Sequence, residues 1–419
     1  MRIKEIIGRY RTDTAKTLLG NFTYLSILEI ISILFPLLTY PYLIRVIGAE
    51  KYGIIVFSQA VMAYVIIVVN FGFNVSATRR VSENRDDITK LKEIYSSITY
   101  LKLAIFLLSM VVLFVVLYLF KFDHVEVILL LLGLCLQEIF FPSWFFQGME
   151  KMQFITIVSF ISKLVFLLLI FVLVHHKTDY LIVPFLYSLG GCVTATASIF
   201  ILYNFFDVHF IKVSKTQMIT DIKESIPFFA SRISTVVMER SNVVVIGSFF
   251  SYEMVSVYDL CSKVVSIMMT PYQLVAQVIY PNVARSKNMN IIRKAIKPVL
   301  GSGFCFSLLI CLLSYYVVLL LGGEKMLDSV PILRLMVWYV PIVGMSSLFG
   351  ASTLVVNNHS AEYNKSVIYS MLFYLLIIGI LVVTNHINLY SMVMAFILPE
   401  LFVALYRIYI TKKYNLLKI

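Results

Sequence analysis

Long apolar stretches recur along the whole chain and are separated by short polar turns. Each is long enough to cross the ~30 Å hydrocarbon core of a bilayer as a helix, which takes about 20 residues. We predict twelve transmembrane helices. Their expected ranges are 20–45, 52–78, 93–120, 125–148, 153–175, 180–206, 223–249, 253–283, 294–321, 328–356, 362–384 and 388–411.

The composition agrees with this pattern. Of 419 residues, 60% are apolar and only 14% are charged, whereas soluble domains average ~45–50% and ~25%. The first apolar stretch is too long for a cleavable signal peptide, so we expect it to remain as a helix. The predicted fold class is an all-α integral membrane protein.

The longest polar loop, residues 207–222, divides the predicted helices into two sets of six. We therefore predict an N-terminal lobe (1–206), a cytoplasmic inter-lobe loop (207–222) and a C-terminal lobe (223–419). The sequence Val-Ile-Gly closes the first helix at residues 46–48 and the seventh at 245–247. Six crossings per half restore the orientation, so the repeat would be parallel, about an axis along the membrane normal.

Basic residues explain the net charge of +12. With a cytoplasmic N-terminus, the predicted inside loops hold 24 Lys and Arg and the outside loops five. Basic residues accumulate on the cytoplasmic side of membrane proteins. We predict that both termini are cytoplasmic, and we read the excess charge as orientation rather than as a nucleic-acid site.

Signatures of catalysis are missing from the sequence. The five cysteines lie in apolar stretches without metal-ligand spacing, and neither a phosphate-binding glycine loop nor a zinc-hydrolase motif occurs. We expect no enzyme activity, no metal and no cofactor. Energy for transport would come from an ion gradient, from substrate flow or from a partner.

Eleven charged residues lie well inside the predicted helices, away from their ends. In lipid they would cost on the order of 30 kcal/mol together, at ~2.5–3.5 kcal/mol each. We therefore expect a hydrated cavity, most simply between the two lobes. The cations are Lys102, Lys163, Arg232, Arg240, Lys263 and Arg334, and the acids are Glu29, Glu138, Glu239, Asp259 and Glu400.

Some of these charges can neutralise one another. Asp259 and Lys263 have i, i+4 spacing on one helix. Glu138 and Lys163 are both expected near mid-depth of adjacent helices. The cations least easily paired along the chain are Lys102, Arg232, Arg240 and Arg334. Because guanidinium binds phosphate bidentately, these cations predict an anionic head group as ligand. Lys163 and Lys263 are further substrate-binding candidates, and the candidate ion-coupling residues are Glu29, Glu138, Glu239 and Glu400.

Two blocks of sequence carry a family resemblance. The first comprises NFTYL at 21–25, PLLTYPYLIRVIG at 36–48, YG at 52–53, FSQA at 57–60 and FGFNVSATR at 71–79, and the second is PSWFFQGMEKM at 142–152. They resemble bacterial O-antigen flippases, the Wzx-type polysaccharide transporters. The resemblance continues diffusely to the C-terminus, as at residues 231–234 and 280–281.

The resemblance implies the superfamily that also holds the MATE drug antiporters and the lipid II flippase, with two lobes and alternating access. It implies a bacterial inner-membrane protein that turns undecaprenyl-pyrophosphate-linked oligosaccharide repeat units to the periplasmic leaflet. O-antigen polymerase and chain-length regulator are the expected protein partners. Arg45 matches a family motif and is a further substrate candidate, although its place near the outer interface also fits a helix anchor.

Two alternatives stay open at the level of sequence. One is a cation-coupled exporter of small drugs, which would need a cavity dominated by carboxylates. The other is a non-transporting scaffold for glycan assembly. Six cations against five acids in the spans favour the flippase over the drug exporter.

Overall fold

The computed structural model describes residues 2–417, with side chains for all of these except residues 2–19, 22, 277–278, 281–282 and 284–286. No side chain is therefore described for the basic residues of the N-terminal arm, for Pro281 or for Arg285. Lys418 lies outside the described residues. Residues 2–417 contain helices and no strand. The α-helices are α1 (Arg2–Val46), α2 (Ala49–Asn70), α3 (Phe73–Glu83), α4 (Ile88–Phe120), α5 (Val125–Leu130), α6 (Gly133–Phe140), α7 (Ser143–Gly148), α8 (Met152–Leu173), α9 (Ile182–Phe205), α10 (Lys215–Phe249), α11 (Tyr252–Ser286), α12 (Asn290–Gly322), α13 (Ser329–Met336), α14 (Tyr339–Phe349), α15 (Ser360–Val383) and α16 (Leu389–Lys413).

Ten helical segments in the described part of the chain are long and apolar enough to cross a membrane. They coincide with ten of the twelve predicted stretches, so an all-helical multi-pass membrane protein is confirmed. The other two predicted stretches lie within α10 and α11, which are 35 residues long but more polar. A total of twelve transmembrane helices, and the cytoplasmic location of both termini, stay predictions.

The second predicted helix is broken between α2 and α3. Phe71 and Gly72 have positive φ angles of 46° and 76°, and the Asn70 side chain accepts a hydrogen bond from the Gly72 amide at 3.2 Å. A Cβ atom on Gly72 would lie 2.6 Å from the backbone nitrogen of Phe229. Glycine is therefore required here by backbone conformation and by close packing.

Two other predicted helices are also interrupted. The fourth consists of α5, α6 and α7, and α7 follows Pro142 directly. The tenth consists of α13, α14 and a π-helical segment, Gly350–Val355. Proline has no N–H group to continue a helical ladder, whereas hydropathy alone reads such a broken segment as one helix.

Contacts divide the chain into two compact units. Unit 1 comprises residues 1–39 and 61–233, and unit 2 comprises residues 40–60 and 234–419. The chain therefore contributes the end of α1 and the start of α2 to unit 2, and the first half of α10 to unit 1. The division into two six-helix lobes at residues 207–222 stays a prediction.

The core of unit 1 is aromatic. Trp144, Phe145 and Phe146 of α7 are almost fully buried and pack with Phe73 of α3 and Tyr95 of α4. Burial of aromatic side chains of this size contributes a large apolar area. The second sequence block, 142–152, is therefore part of the core that holds α3 and α4 in place.

The two sequence blocks also contact each other within unit 1. The Thr78 hydroxyl donates to the main-chain oxygen of Trp144 at 3.3 Å, and Arg85 Nε donates to the main-chain oxygen of Gly148 at 2.7 Å. A Cβ atom on Gly148 would lie 2.6 Å from Val81 Cβ. Part of the family-like sequence thus has a structural role.

Candidate functional site

A buried ion pair lies inside unit 1. Lys102 of α4 is only 1% exposed, and its ammonium lies 2.6 Å from Glu138 Oε1 of α6. It also donates to the main-chain oxygen of Glu138 at 2.9 Å and approaches Asn74 Oδ1 at 3.5 Å. The Asn70 amide donates to the same carboxylate oxygen at 2.7 Å. The expectation that Lys102 has no ready partner is wrong, because Glu138 of the next predicted helix packs against it.

Lys163 does not pair with Glu138. Its ammonium donates to the Ser32 hydroxyl of α1 at 2.7 Å, and the Glu138 carboxylate is already bonded to Lys102. The predicted Glu138–Lys163 pair is therefore wrong. Glu29 lies on the exposed surface of α1. A substrate role for Lys163 and an ion-coupling role for Glu29 stay predictions.

Asp259 and Lys263 form the predicted i, i+4 ion pair on α11. The Tyr52 hydroxyl joins this pair: it accepts from Lys263 at 3.0 Å and donates to Asp259 Oδ2 at 3.0 Å. The ammonium also lies 5.3 Å from the ring centroid of Tyr40. This charge is satisfied within unit 2 by groups from α1, α2 and α11, and a substrate role for Lys263 stays a prediction.

Arg45 and Arg334 both bond to helix α12 within unit 2. Arg45 donates to the main-chain oxygen of Leu320 at 2.6 Å, close to the end of that helix. Cations near a helix C-terminus interact favourably with the partial negative charge there. Arg334 Nε donates to the Ser314 hydroxyl at 2.8 Å. Both side chains have exposed surface, and substrate contact by either one stays a prediction.

Arg232 and Arg240 of α10 differ from the other candidate cations in their contacts. Both are exposed, and neither guanidinium has a hydrogen bond or ion pair with a residue that the structure describes. Both guanidinium groups can therefore still accept a ligand as hydrogen-bond donors. Their helix, α10, has 35 residues and is long enough to span a membrane.

A cavity of about 160 Å³ lies inside unit 2. It brings together Glu239 of α10 and Glu400 of α16, two of the predicted ion-coupling residues. The lining residues are Thr235, Met238, Glu239, Tyr339, Val367, Ser370, Tyr374, Phe396, Pro399, Glu400, Val403 and Arg407. The volume is suited to water and a small ion, and it is far too small for an oligosaccharide.

Arg407 of α16 also lines this cavity, and it was not among the eleven charges predicted inside the helices. It is 7% exposed, donates to the main-chain and hydroxyl oxygens of Ser346 at 2.9 and 2.8 Å and lies 4.7 Å from the Tyr363 ring centroid. Its Nε donates to the Ser366 hydroxyl at 3.1 Å. One signal was present: Glu400 and Arg407 are seven residues apart and share a helix face.

A second buried ion pair links α3 to the first half of α10 in unit 1. Arg80 bonds to Asp221, whose side chain is 1% exposed. Asp221 also accepts from the Gln217 amide at 2.9 Å. By contrast, Arg79 is 80% exposed and bonds only to Glu83 among the described residues. The arginine with the structural role is therefore Arg80, which follows the family-like block, rather than Arg79 at the end of that block.

Among the described residues, no group of three or more His, Cys, Asp or Glu side chains could hold a metal ion. The buried charged groups are instead paired with opposite charges or hydrogen-bonded to serine, asparagine and tyrosine. This is the usual way in which membrane proteins satisfy ionisable side chains inside the bilayer.

Ten membrane-length apolar helical segments with charged groups buried within both units define a multi-pass membrane protein. The chain belongs to the polysaccharide biosynthesis protein family, whose model matches residues 18–287. It is 25% identical over 366 residues to a protein of Escherichia coli (strain K12) named "Putative O-antigen transporter", covering 85% of this chain and 88% of the relative. A Shigella dysenteriae protein of the same name is 24% identical, over 63% of this chain and 67% of the relative.

Solved structures show the same fold. An inward-facing MATE-family multidrug transporter of the MOP superfamily matches with a TM-score of 0.75 at 14% identity, over 95% of this chain and 99% of that one. The lipid II flippase MurJ in an inward closed conformation matches with a TM-score of 0.70 at 15% identity, over 94% of this chain and 87% of that one. The resemblance noted in the sequence, and a MATE-like fold, are confirmed.

Proposed function

We propose that this protein is a flippase for undecaprenyl-pyrophosphate-linked oligosaccharide repeat units of O-antigen. It moves them from the cytoplasmic to the periplasmic leaflet of the bacterial inner membrane by alternating access. It supplies them to lipopolysaccharide O-antigen synthesis, where a polymerase and a chain-length regulator are the proposed partners. The family and the names of the two curated relatives support this substrate class.

One observation carries the proposal: Arg232 and Arg240 are exposed on α10 without a partner among the described residues. An unpaired intramembrane arginine is costly unless it serves a ligand or a wet space. Guanidinium groups match phosphate oxygens bidentately, and a pyrophosphate has oxygens enough for two of them. We assign both residues to the pyrophosphate of the lipid carrier, with Arg334, Lys163, Lys263 and Arg45 as weaker candidates.

The cavity of unit 2 supports a role for an ion in the cycle. Glu239 and Glu400 line one space, so a cation or proton could bind both carboxylates. Glu138 is a weaker candidate because Lys102 neutralises it. Transport driven by an ion gradient would require no nucleotide-binding domain, and the protein would act as a transporter rather than as an enzyme.

A carboxylate-lined cavity is also what a cation-coupled drug exporter would use. This second function is favoured by Glu239 and Glu400, but it leaves Arg232 and Arg240 without a ligand. A scaffold for glycan assembly would leave both features unused. Expression in a drug-sensitive strain distinguishes these functions, since only a drug exporter would raise resistance.

The main test is complementation of a deletion strain. We expect the wild-type chain to restore surface O-antigen, and Arg232→Ala or Arg240→Ala to abolish display while the protein remains in the membrane. Arg293→Ala, which removes another exposed arginine at the start of α12, serves as the control and should leave display intact. Normal display in both α10 variants would refute the pyrophosphate role, and normal display in the deletion strain would refute the flippase.

A further inference from the structure

The surroundings of the Lys102 ammonium consist of oxygen atoms. Glu138 supplies a carboxylate oxygen at 2.6 Å and a main-chain oxygen at 2.9 Å, and Asn74 supplies an amide oxygen at 3.5 Å. An ammonium has three N–H donors and no acceptor, so these three oxygens account for its bonding capacity. We refer to this group of three oxygens as the oxygen cage.

The sequence explains why a main-chain oxygen is available in the cage. In an α-helix, the carbonyl of residue 138 would accept from the amide of residue 142, but residue 142 is proline and has no N–H. The carbonyl of Glu138 therefore lacks its helical donor, and Lys102 supplies one. An unsatisfied carbonyl in the bilayer core would cost several kcal/mol.

Asn70, which does not contact the lysine, also positions the oxygen cage. The Asn70 amide donates to the Glu138 carboxylate at 2.7 Å, and its own oxygen accepts from the Gly72 amide at 3.2 Å. The break between α2 and α3 thus positions the side chains of Asn70 and Asn74 near Glu138. The oxygens of the cage come from α3 and α6, whereas the ammonium comes from α4.

A carboxylate, a carbonyl and an amide oxygen are the ligands that hard cations take in proteins, and carbonyl oxygens can replace the hydration shell of a monovalent ion. The Lys102 side chain is 1% exposed, while that of Glu138 is 21% exposed. The ammonium is thus enclosed, but the carboxylate is accessible from one side. A small ion could enter the cage if the ammonium were removed.

We propose that the oxygen cage is a monovalent-cation site that the protein fills with its own ammonium group. Lys102 acts as a covalently attached counter-ion, and unit 1 needs no dissolved Na⁺ or K⁺ to neutralise Glu138. Removing the ammonium converts the cage into a site for such an ion. This proposal concerns ion binding alone and does not rest on the transported substrate.

The test uses the purified full-length chain and its Lys102→Ala variant in detergent. Thermal unfolding is followed in NaCl, in KCl and in choline chloride at equal ionic strength, because choline is too large for the cage. We expect the rise in unfolding temperature from choline chloride to NaCl or KCl to be several degrees larger for the variant than for the wild type. We also expect it to bind about one more ²²Na⁺ or ⁸⁶Rb⁺ per chain than the wild type, so that an ion held elsewhere cancels in the difference.

Two further variants identify the site. Lys102→Ala combined with Glu138→Gln removes both charges, and we expect it to lose the additional ion and to return to the salt dependence of the wild type. Lys365→Ala removes the lysine of a surface pair with Glu362, in which the lysine side chain is 51% exposed, and it should behave like the wild type. A Lys102→Ala protein that binds no additional ion, or whose unfolding depends on the salt no more than that of the wild type, overturns the proposal.

Discussion

Arg407 holds Ser346 through two hydrogen bonds from a single guanidinium nitrogen, one to the main-chain oxygen at 2.9 Å and one to the hydroxyl at 2.8 Å. This contact joins α16 to α14 in the interior of unit 2. It places a fixed positive charge at the edge of a cavity that also contains Glu239 and Glu400.

We expect Arg407→Lys to destabilise the protein, because lysine cannot reproduce the planar fork that reaches Ser346 and Ser366. Loss of hydrogen bonds from a charged donor should lower the free energy of unfolding by about 2–3 kcal/mol. Thermal unfolding of the purified protein measures the effect. Lys412→Met, on the exposed surface of the same helix, is the control, and equal midpoints for both variants would contradict this assignment.

The Arg80–Asp221 pair gives a prediction with an adjacent control. Asp221 is 1% exposed and Arg80 19% exposed, so Asp221→Ala leaves a partly buried cation without its partner. Breaking such a pair costs about 3–5 kcal/mol. Arg79→Ala removes an arginine that is 80% exposed, for which a much smaller loss is expected because an exposed ion pair contributes little to stability. Similar losses in chemical unfolding of the two variants would show that the buried pair has no special role.

Gly72→Ala should be strongly unfavourable. The new Cβ would lie 2.6 Å from the Phe229 nitrogen, at a residue with a φ of 76°. Backbone strain of this kind costs about 1–3 kcal/mol, and overpacking adds to it. Gly379→Ala adds a Cβ with no atom within 4 Å, and in a helix it should be neutral or stabilising by up to about 1 kcal/mol. The yield and melting temperature of the two proteins test this contrast.

The cavity of unit 2 predicts cation-dependent stability. A ligand that binds only the folded state at 100 times its dissociation constant stabilises it by about 2.7 kcal/mol. We expect Na⁺ to stabilise the wild type in this way, and Glu239→Gln or Glu400→Gln to remove the effect. Glu253→Gln, at the exposed start of α11, should retain it. Undiminished stabilisation in both cavity variants would remove these carboxylates from ion coupling.

The helical segments were largely predictable because hydropathy is a local property of consecutive residues. Ten of the twelve predicted stretches coincide with membrane-length segments of the structure. Local breaks were not predicted. The interruption at Phe71 and Gly72 depends on positive φ angles and on close contact with α10, and neither is visible in a hydropathy average.

Some contacts of the charged residues were likewise predictable from the sequence, and others were not. The Asp259–Lys263 pair follows from helical spacing alone and was expected. The partner of Glu138 was predicted as Lys163 but is Lys102, because both lysines lie on helices near it in the chain and only packing selects one of them. Arg407 lies near the end of the last predicted helix and was not among the eleven charges predicted inside the helices, yet it is buried.

By itself, the sequence determined that this protein is helical, spans a membrane and resembles the polysaccharide transporters, since apolar length, net charge and short motifs are written along the chain. Only the tertiary structure decided which charged side chains are neutralised inside each unit and which have no partner among the described residues. Pairing between helices depends on atoms brought within 3 Å or so of each other, and residues 36 positions apart, such as Lys102 and Glu138, meet only when the helices pack.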